Sequence, residues 1–264
     1  MTEEIRRQIM EQLRKIEQEE NVRILYACES GSRAWGLSSE ESDYDVRFLY
    51  LRPLDGYVTI LDQPDVIERP ISDKLDISGW DLKKALQLLR KSNPTLLEWL
   101  HSPISYWEPY VVAAQIRSMA PLAFLPKSCM YHYLNMAKRN LKAYLQGDRV
   151  KAKKYFYVLR PILACGWIEK FHEIPPMPFD ELMEKLVPAD SELRGVIDEC
   201  VVRKKLGEEL DDETGIHLLH DYLEERIVFF ERTAAQMTQA VGNLDRQLDE
   251  LFRSALQEVW GVRF

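Results

Sequence analysis

The segment Ser42-Asp-Tyr-Asp-Val-Arg-Phe-Leu-Tyr-Leu51 constrains this chain more than any other. Tyr44 to Leu51 reads as a strand that Pro53 ends, because proline cannot donate to a ladder. On a strand, residues i and i+2 face the same side, so Asp43 and Asp45 stand next to each other. Two neighbouring carboxylates repel unless a cation lies between them. Hard oxygen ligands favour magnesium, which keeps waters and takes phosphate oxygens as its remaining ligands.

What precedes this strand suits a phosphate. Val22 to Cys28 is a short apolar strand, followed by the small-residue turn Glu29-Ser30-Gly31-Ser32 and a short helix or turn to Gly36. Gly31 allows a tight turn and close approach to a ligand. Ser32 offers a hydroxyl and an amide where a helical turn starts, the place where free N–H groups bind phosphate. Arg33 adds a permanent cation. A phosphate cradle beside paired carboxylates points to metal-assisted phosphoryl or nucleotidyl transfer from a nucleoside triphosphate.

Around this core the chain changes character once. An amphipathic helix over Glu3 to Gln18 carries Ile5, Ile9, Leu13 and Ile16 on one face. A weak strand is predicted at Asp65 to Glu68 and another at Lys74 to Ser78. A helix from Trp80 to Lys91 follows, with Asp81 in its first turn, then a short one from Thr95 to Leu100 after Asn93-Pro94. Beyond about Ser102 the pattern is helical, with predicted runs at Tyr110–Met119, Lys127–Gln146, Arg149–His172, Ser191–Glu209, Gly215–Thr238 and Leu244–Trp260, broken by the proline-rich Glu173 to Phe179. The expected fold is α+β: a small mixed-sheet domain over residues 1–108 and a helical, substrate-binding domain over 109–264.

One helical face extends the site. Lys153, Tyr157 and Arg160 follow i, i+4, i+7 and share a side, with Lys154 beside them and Asn135, Lys138 and Asn140 on the preceding helix. Together these form an expected basic wall opposite the aspartates, placing Lys153, Tyr157 and Arg160 with Gly31, Ser32 and Arg33 as nucleotide-binding residues. The net charge of -8 argues against nonspecific nucleic-acid binding but leaves room for a local basic cleft. The four cysteines form no CxxC pair, which disfavours a disulfide framework or zinc ribbon. His217 and His220 share a helix face without a third zinc ligand nearby. A charged N-terminus and the lack of a long apolar run predict a cytoplasmic protein that does not engage a membrane.

The strand, Gly-Ser turn, polar loop and Asp-x-Asp strand together resemble the DNA polymerase beta-type nucleotidyltransferase superfamily. In that pattern Gly31 and Ser32 match the turn, Asp43 and Asp45 the metal ligands. The resemblance implies a third carboxylate on a later neighbouring strand: Asp76, between Leu75 and Ile77, fits best, with Glu68 the alternative. Longer segments, GSRAWG, SDYDVRFLY, LDISGWDLKKALQLLRKSNPTLLEWL and KKYFYVLRPILACGWIE, are similar to bacterial RNA-repair-pathway-coupled nucleotidyltransferases of the polymerase-beta type. The implied activity moves a nucleoside monophosphate from a triphosphate to a hydroxyl of RNA, protein or a small molecule. Asp43, Asp45 and Asp76 would hold two magnesium ions. Two other classes fit the same fold, a noncatalytic nucleotide-binding regulator and an interaction protein of the toxin–antitoxin kind. Three retained carboxylates favour the enzyme.

Overall fold

The computed structural model describes residues 2–70, 74–145, 150–210, 216–238 and 242–264. The helix ends expected at Gln146, Arg149 and Gly215 fall outside the described residues.

Helix α1 (Glu3–Glu20) starts where the Thr2 hydroxyl accepts from the Ile5 amide and ends at Asn21 in the left-handed region. Its buried side is Ile9, Leu13 and Ile16. Strand β1 (Arg23–Glu29) and the single turn α2 (Gly31–Ala34) follow, then β2 (Tyr44–Leu51), β3 (Val66–Glu68), β4 (Leu75–Asp81) and β5 (Ser105–Trp107). These form one sheet in the order β3-β4-β2-β1-β5. β2 lies at its centre, antiparallel to β1 and parallel to β4. Its apolar run is explained by that position, since a central strand with both faces covered loses the polar alternation of an edge.

α1 covers one face, packing against Ile24, Val46, Phe48 and Ile77. The opposite face, carrying Leu25, Leu49 and Leu51, packs on α3 (Leu82–Arg90), α4 (Pro94–Leu100) and α5 (Val112–Ala123). The apolar core then continues through α6 (Pro126–Tyr144), α7 (Ala152–Phe171), α8 (Phe179–Leu186), α9 (Glu192–Leu206), α10 (Ile216–Gln236) and α11 (Asp245–Trp260). Residue 108 thus marks the end of the five-stranded sheet, while buried apolar contact runs across it. Three features escaped the sequence reading: strand β5, the helix α8, which starts at the last residue of the proline-rich segment, and the two-residue strands β6 (Val150–Lys151) and β7 (Glu209–Leu210), which pair antiparallel.

Asp81 ends β4 and caps α3, rather than sitting inside its first turn. Its carboxylate accepts from the Lys83 amide at 2.8 Å and the Tyr57 hydroxyl at 2.7 Å. α7 carries Pro161 in its interior, so the Tyr157 carbonyl, four residues earlier, loses its helical donor. The Asn140 side-chain amide from α6 donates to that carbonyl at 2.8 Å. This is the work Asn140 does, in place of the cleft-facing role expected of it. All four cysteines are buried and free. Among the described residues, no helix is long and apolar enough to cross a membrane.

Candidate active site

The polar end of the sheet gathers the residues singled out in the sequence. β1 ends at Glu29, β2 begins at Tyr44 and β4 at Leu75, and in the parallel pairing Asp45 stands opposite Asp76. Asp43, Asp45 and Asp76 therefore meet at one corner. Glu68, the alternative third carboxylate, lies exposed on edge strand β3 opposite Ser78.

Asp45 is held by its backbone from both sides. Its amide donates to Glu29 Oε1 at 2.8 Å, and its carbonyl accepts from the Ser30 amide at 2.8 Å. Glu29 is wholly buried, also accepts from the Tyr106 hydroxyl, and has its carboxyl pushed above the usual range by burial. The Asp45 side chain lies against Gly31, where a Cβ would come within 2.0 Å of Oδ2. Gly31 also sits at φ +57°, a conformation that costs a side-chain-bearing residue about 1–2 kcal/mol. Only glycine satisfies both conditions. Burial, reinforced by the Asp76 and Asp43 charges and opposed by Arg47, holds the Asp45 carboxyl above its ordinary value. A cation at this corner would relieve that strain.

Arg47, unremarked in the sequence, is the counter-charge present. It follows Asp43 and Asp45 at i+2 spacing and shares their face. Nη2 donates to Asp76 Oδ2 at 2.7 Å and Asp45 Oδ1 at 3.2 Å, and Nη1 to the Asp76 carbonyl at 2.9 Å and the Val46 carbonyl at 3.1 Å. Among the described residues, no group of three His, Cys, Asp or Glu side chains is arranged to hold a metal ion.

A cleft of about 270 Å³, open to solvent, lies in front of Asp43 and Asp45. Gly31, Ser32 and Trp35 line it together with the Ser39–Ser42 loop, and the helical region contributes Lys151, Lys153, Tyr157 and Lys204 with the acidic Glu208. Lys153 and Tyr157 thus line the cleft that Asp43 and Asp45 also line. The second helix of the wall is α9, in place of α6: Lys204 Nζ donates to the Leu37 carbonyl behind the Gly-Ser turn. Its ammonium is nearly buried, and burial with the neighbouring Lys153 and Lys205 charges lowers its pKa to about 8. Lys138 of α6 is ion-paired with Glu231, and Lys154 lies over the Tyr144 ring at 3.7 Å.

Two expected nucleotide ligands are placed differently. Arg33 donates to the Asp43 carbonyl at 3.1 Å and the Ser42 carbonyl at 2.6 Å, with its guanidinium 3.8 Å from the centre of the Tyr44 ring. It braces the loop that presents Asp43. Arg160 is buried at 2 % exposure, paired with Glu98 at 2.6 Å and donating to the Met177 carbonyl at 3.1 Å. Its guanidinium supports Trp35 from beneath, 4.8 Å from the ring centre. The i, i+4, i+7 spacing had put it beside Lys153, but α7 is buried on nearly all sides at that depth, so the shared stripe runs from the cleft into the core.

Residues 5–254 match the RNA repair pathway DNA polymerase beta family. The chain belongs to that family. A further relative, the uncharacterized protein YcgL of Bacillus subtilis (strain 168), is 49% identical over 256 residues, which covers 97% of this chain and 98% of that protein. Among solved structures, the nucleotidyltransferase-like protein from Exiguobacterium sibiricum 255-15 is similar with a TM-score of 0.32 and 12% identity, covering 83% of this chain and 74% of that one. Membership of a polymerase beta family agrees with the Gly31-Ser32 turn beside Asp43 and Asp45, and makes nucleotidyl transfer the chemistry to which the cleft is to be related.

Proposed function

We propose that this protein transfers a nucleoside monophosphate from a nucleoside triphosphate to a hydroxyl acceptor and releases pyrophosphate, with magnesium held by Asp43 and Asp45. The observation that carries the reading is the cleft itself. Asp43 and Asp45 share one cleft with Lys151, Lys153 and Lys204 and with the Gly31-Ser32 turn.

Each residue has a distinct task. Ser32 and the amides of its turn take phosphate oxygens, as helix-start amides do. Lys153 and Lys204 offset the triphosphate charge from the opposite wall, where partial burial strengthens each contact. Trp35 and Tyr157 lie edge to face at 6.4 Å and offer apolar ring surface to the nucleoside. Bound magnesium would neutralise charge on the α-phosphate and the departing pyrophosphate. Asp43 and Asp45 supply hard oxygen ligands, and the raised carboxyl of Asp45 is the group that gains most from a cation. The family description names an RNA repair pathway, which favours an RNA hydroxyl as the acceptor. Four buried, free cysteines suit a reducing, cytoplasmic setting.

Incubation with each α-labelled nucleoside triphosphate, magnesium and an RNA pool tests this reading. Label should enter RNA with wild type, and Asp43→Asn and Asp45→Asn should each lose at least about 100-fold. Undiminished incorporation in either variant would sink the assignment.

A further inference from the structure

We propose that Arg47 is a built-in cation that takes the place of a second metal ion, so that the nucleotide-loaded site holds one divalent ion rather than two. This rests on the donor-site reading above and deepens it.

The argument begins with alternation along β2. Asp43, Asp45 and Arg47 project to one face, and the parallel register sets Asp76 against Asp45 on the neighbouring strand. A second ion would need Asp45 and Asp76 together. The guanidinium already joins them, at 3.2 Å and 2.7 Å. It is anchored by more than those carboxylates, because its other nitrogen donates to the main-chain carbonyls of Val46 and Asp76. A side chain held by two carboxylates and two backbone carbonyls, with 18% of it exposed, is pre-organised where it stands.

Charge balance points the same way. Before nucleotide enters, the corner's three carboxylates and one guanidinium leave two negative charges, the number a single divalent ion carries, and the triphosphate brings further charge that Lys151, Lys153 and Lys204 of the cleft are there to meet. A second ion beside Arg47 would add like charge in a half-buried corner. Asp43 faces the cleft and Asp76 does not line it, so the carboxylate pair presented to a triphosphate is Asp43 with Asp45. Asp76 is then a positioning residue that acts through Arg47, not a metal ligand.

The test counts ions and needs no turnover. Manganese binding to the full chain is measured by equilibrium dialysis and by electron paramagnetic resonance, with saturating α,β-methylene analogues of the four nucleoside triphosphates. Wild type should bind one manganese per chain and show no manganese–manganese coupling. Arg47→Ala, which frees Asp45 and Asp76, should bind two and show the coupling. Asp76→Asn should keep one, with its affinity within about threefold of wild type. Two coupled ions in wild type, one ion in folded Arg47→Ala, or loss of the ion in Asp76→Asn would each overturn the inference. No manganese in wild type, with or without analogue, would overturn the donor-site reading itself. The wild-type count decides even where Arg47→Ala fails to fold.

Discussion

Replacing Gly31 by alanine separates the position of Asp45 from the stability of the fold. The added Cβ would sit 2.0 Å from Asp45 Oδ2. Ordinary contact begins at 3.4 Å, so the carboxylate must retreat by about 1.4 Å. A displacement of ~1 Å at a reacting centre costs about 100-fold in rate. The φ of +57° adds about 1–2 kcal/mol of backbone strain, partly offset by about 0.4–1 kcal/mol from restricting the unfolded chain. The net loss of stability is therefore about 1 kcal/mol, or a Tm decrease of roughly 2–4 °C. Gly36 supplies the control. It has φ +77° and no atom within 4 Å of an added Cβ, so Gly36→Ala meets the same strain without touching Asp45. Nucleotide incorporation and thermal unfolding are measured on both variants. Gly31→Ala should lose about 100-fold activity and Gly36→Ala less than about threefold, with similar Tm shifts. Comparable activity in the two would show that contact between Gly31 and Asp45 does not set the reacting geometry.

Three further outcomes are expected. Arg160→Met should leave Glu98 buried without its partner and cost about 3–5 kcal/mol in urea unfolding, while analogue affinity of the folded fraction changes less than about threefold; a loss of affinity without loss of stability would return Arg160 to the cleft. Lys204 has its folded pKa lowered to about 8 from 10.5, so the unfolded chain binds more protons at this site between those values, and the contribution of this group to stability rises with pH through that window. Analogue affinity should fall over the same interval by about tenfold, the worth of one charge-assisted hydrogen bond; calorimetry should show the decline in wild type and a flat profile in Lys204→Arg. Asn140→Ala should cost about 1–3 kcal/mol by stranding the Tyr157 carbonyl, and much less in a Pro161→Ala background, where the helix regains its own donor; equal costs in the two backgrounds, measured by chemical denaturation, would refute that account.

The carboxylate corner was legible because its signals are local. Gly31-Ser32, Asp43 and Asp45 lie on adjoining elements whose geometry follows from strand alternation and turn chemistry, whereas Asp76 was chosen over Glu68 through the family resemblance, and the parallel register puts it opposite Asp45. Arg47 obeys the same alternation and could have been read from it, had the cation after Asp-Tyr-Asp been weighed with the carboxylates before it. Glu29 gave a weaker hint, an acidic residue closing an apolar strand. Arg160 misled because helical spacing reports the side of a helix but not the depth at which a residue lies. Lys204 carried no local signal, since its place depends on how α9 returns to the Gly-Ser turn. The boundary drawn at residue 108 followed the loss of strand patterning, to which the packing of helices on the sheet is indifferent.

That return of α9 bears on the order in which the protein is made. Lys204 meets the Leu37 carbonyl across 167 residues of sequence. On the ribosome, the acidic corner emerges long before the ammonium that faces it. A nascent chain that has reached only α6 displays Asp43, Asp45 and the Gly31-Ser32 turn with none of Lys151, Lys153 or Lys204 in front of them. The cleft is thus a late product of synthesis, and a chain cut short before α9 would carry the carboxylates without the full set of lysines that lines the space before them.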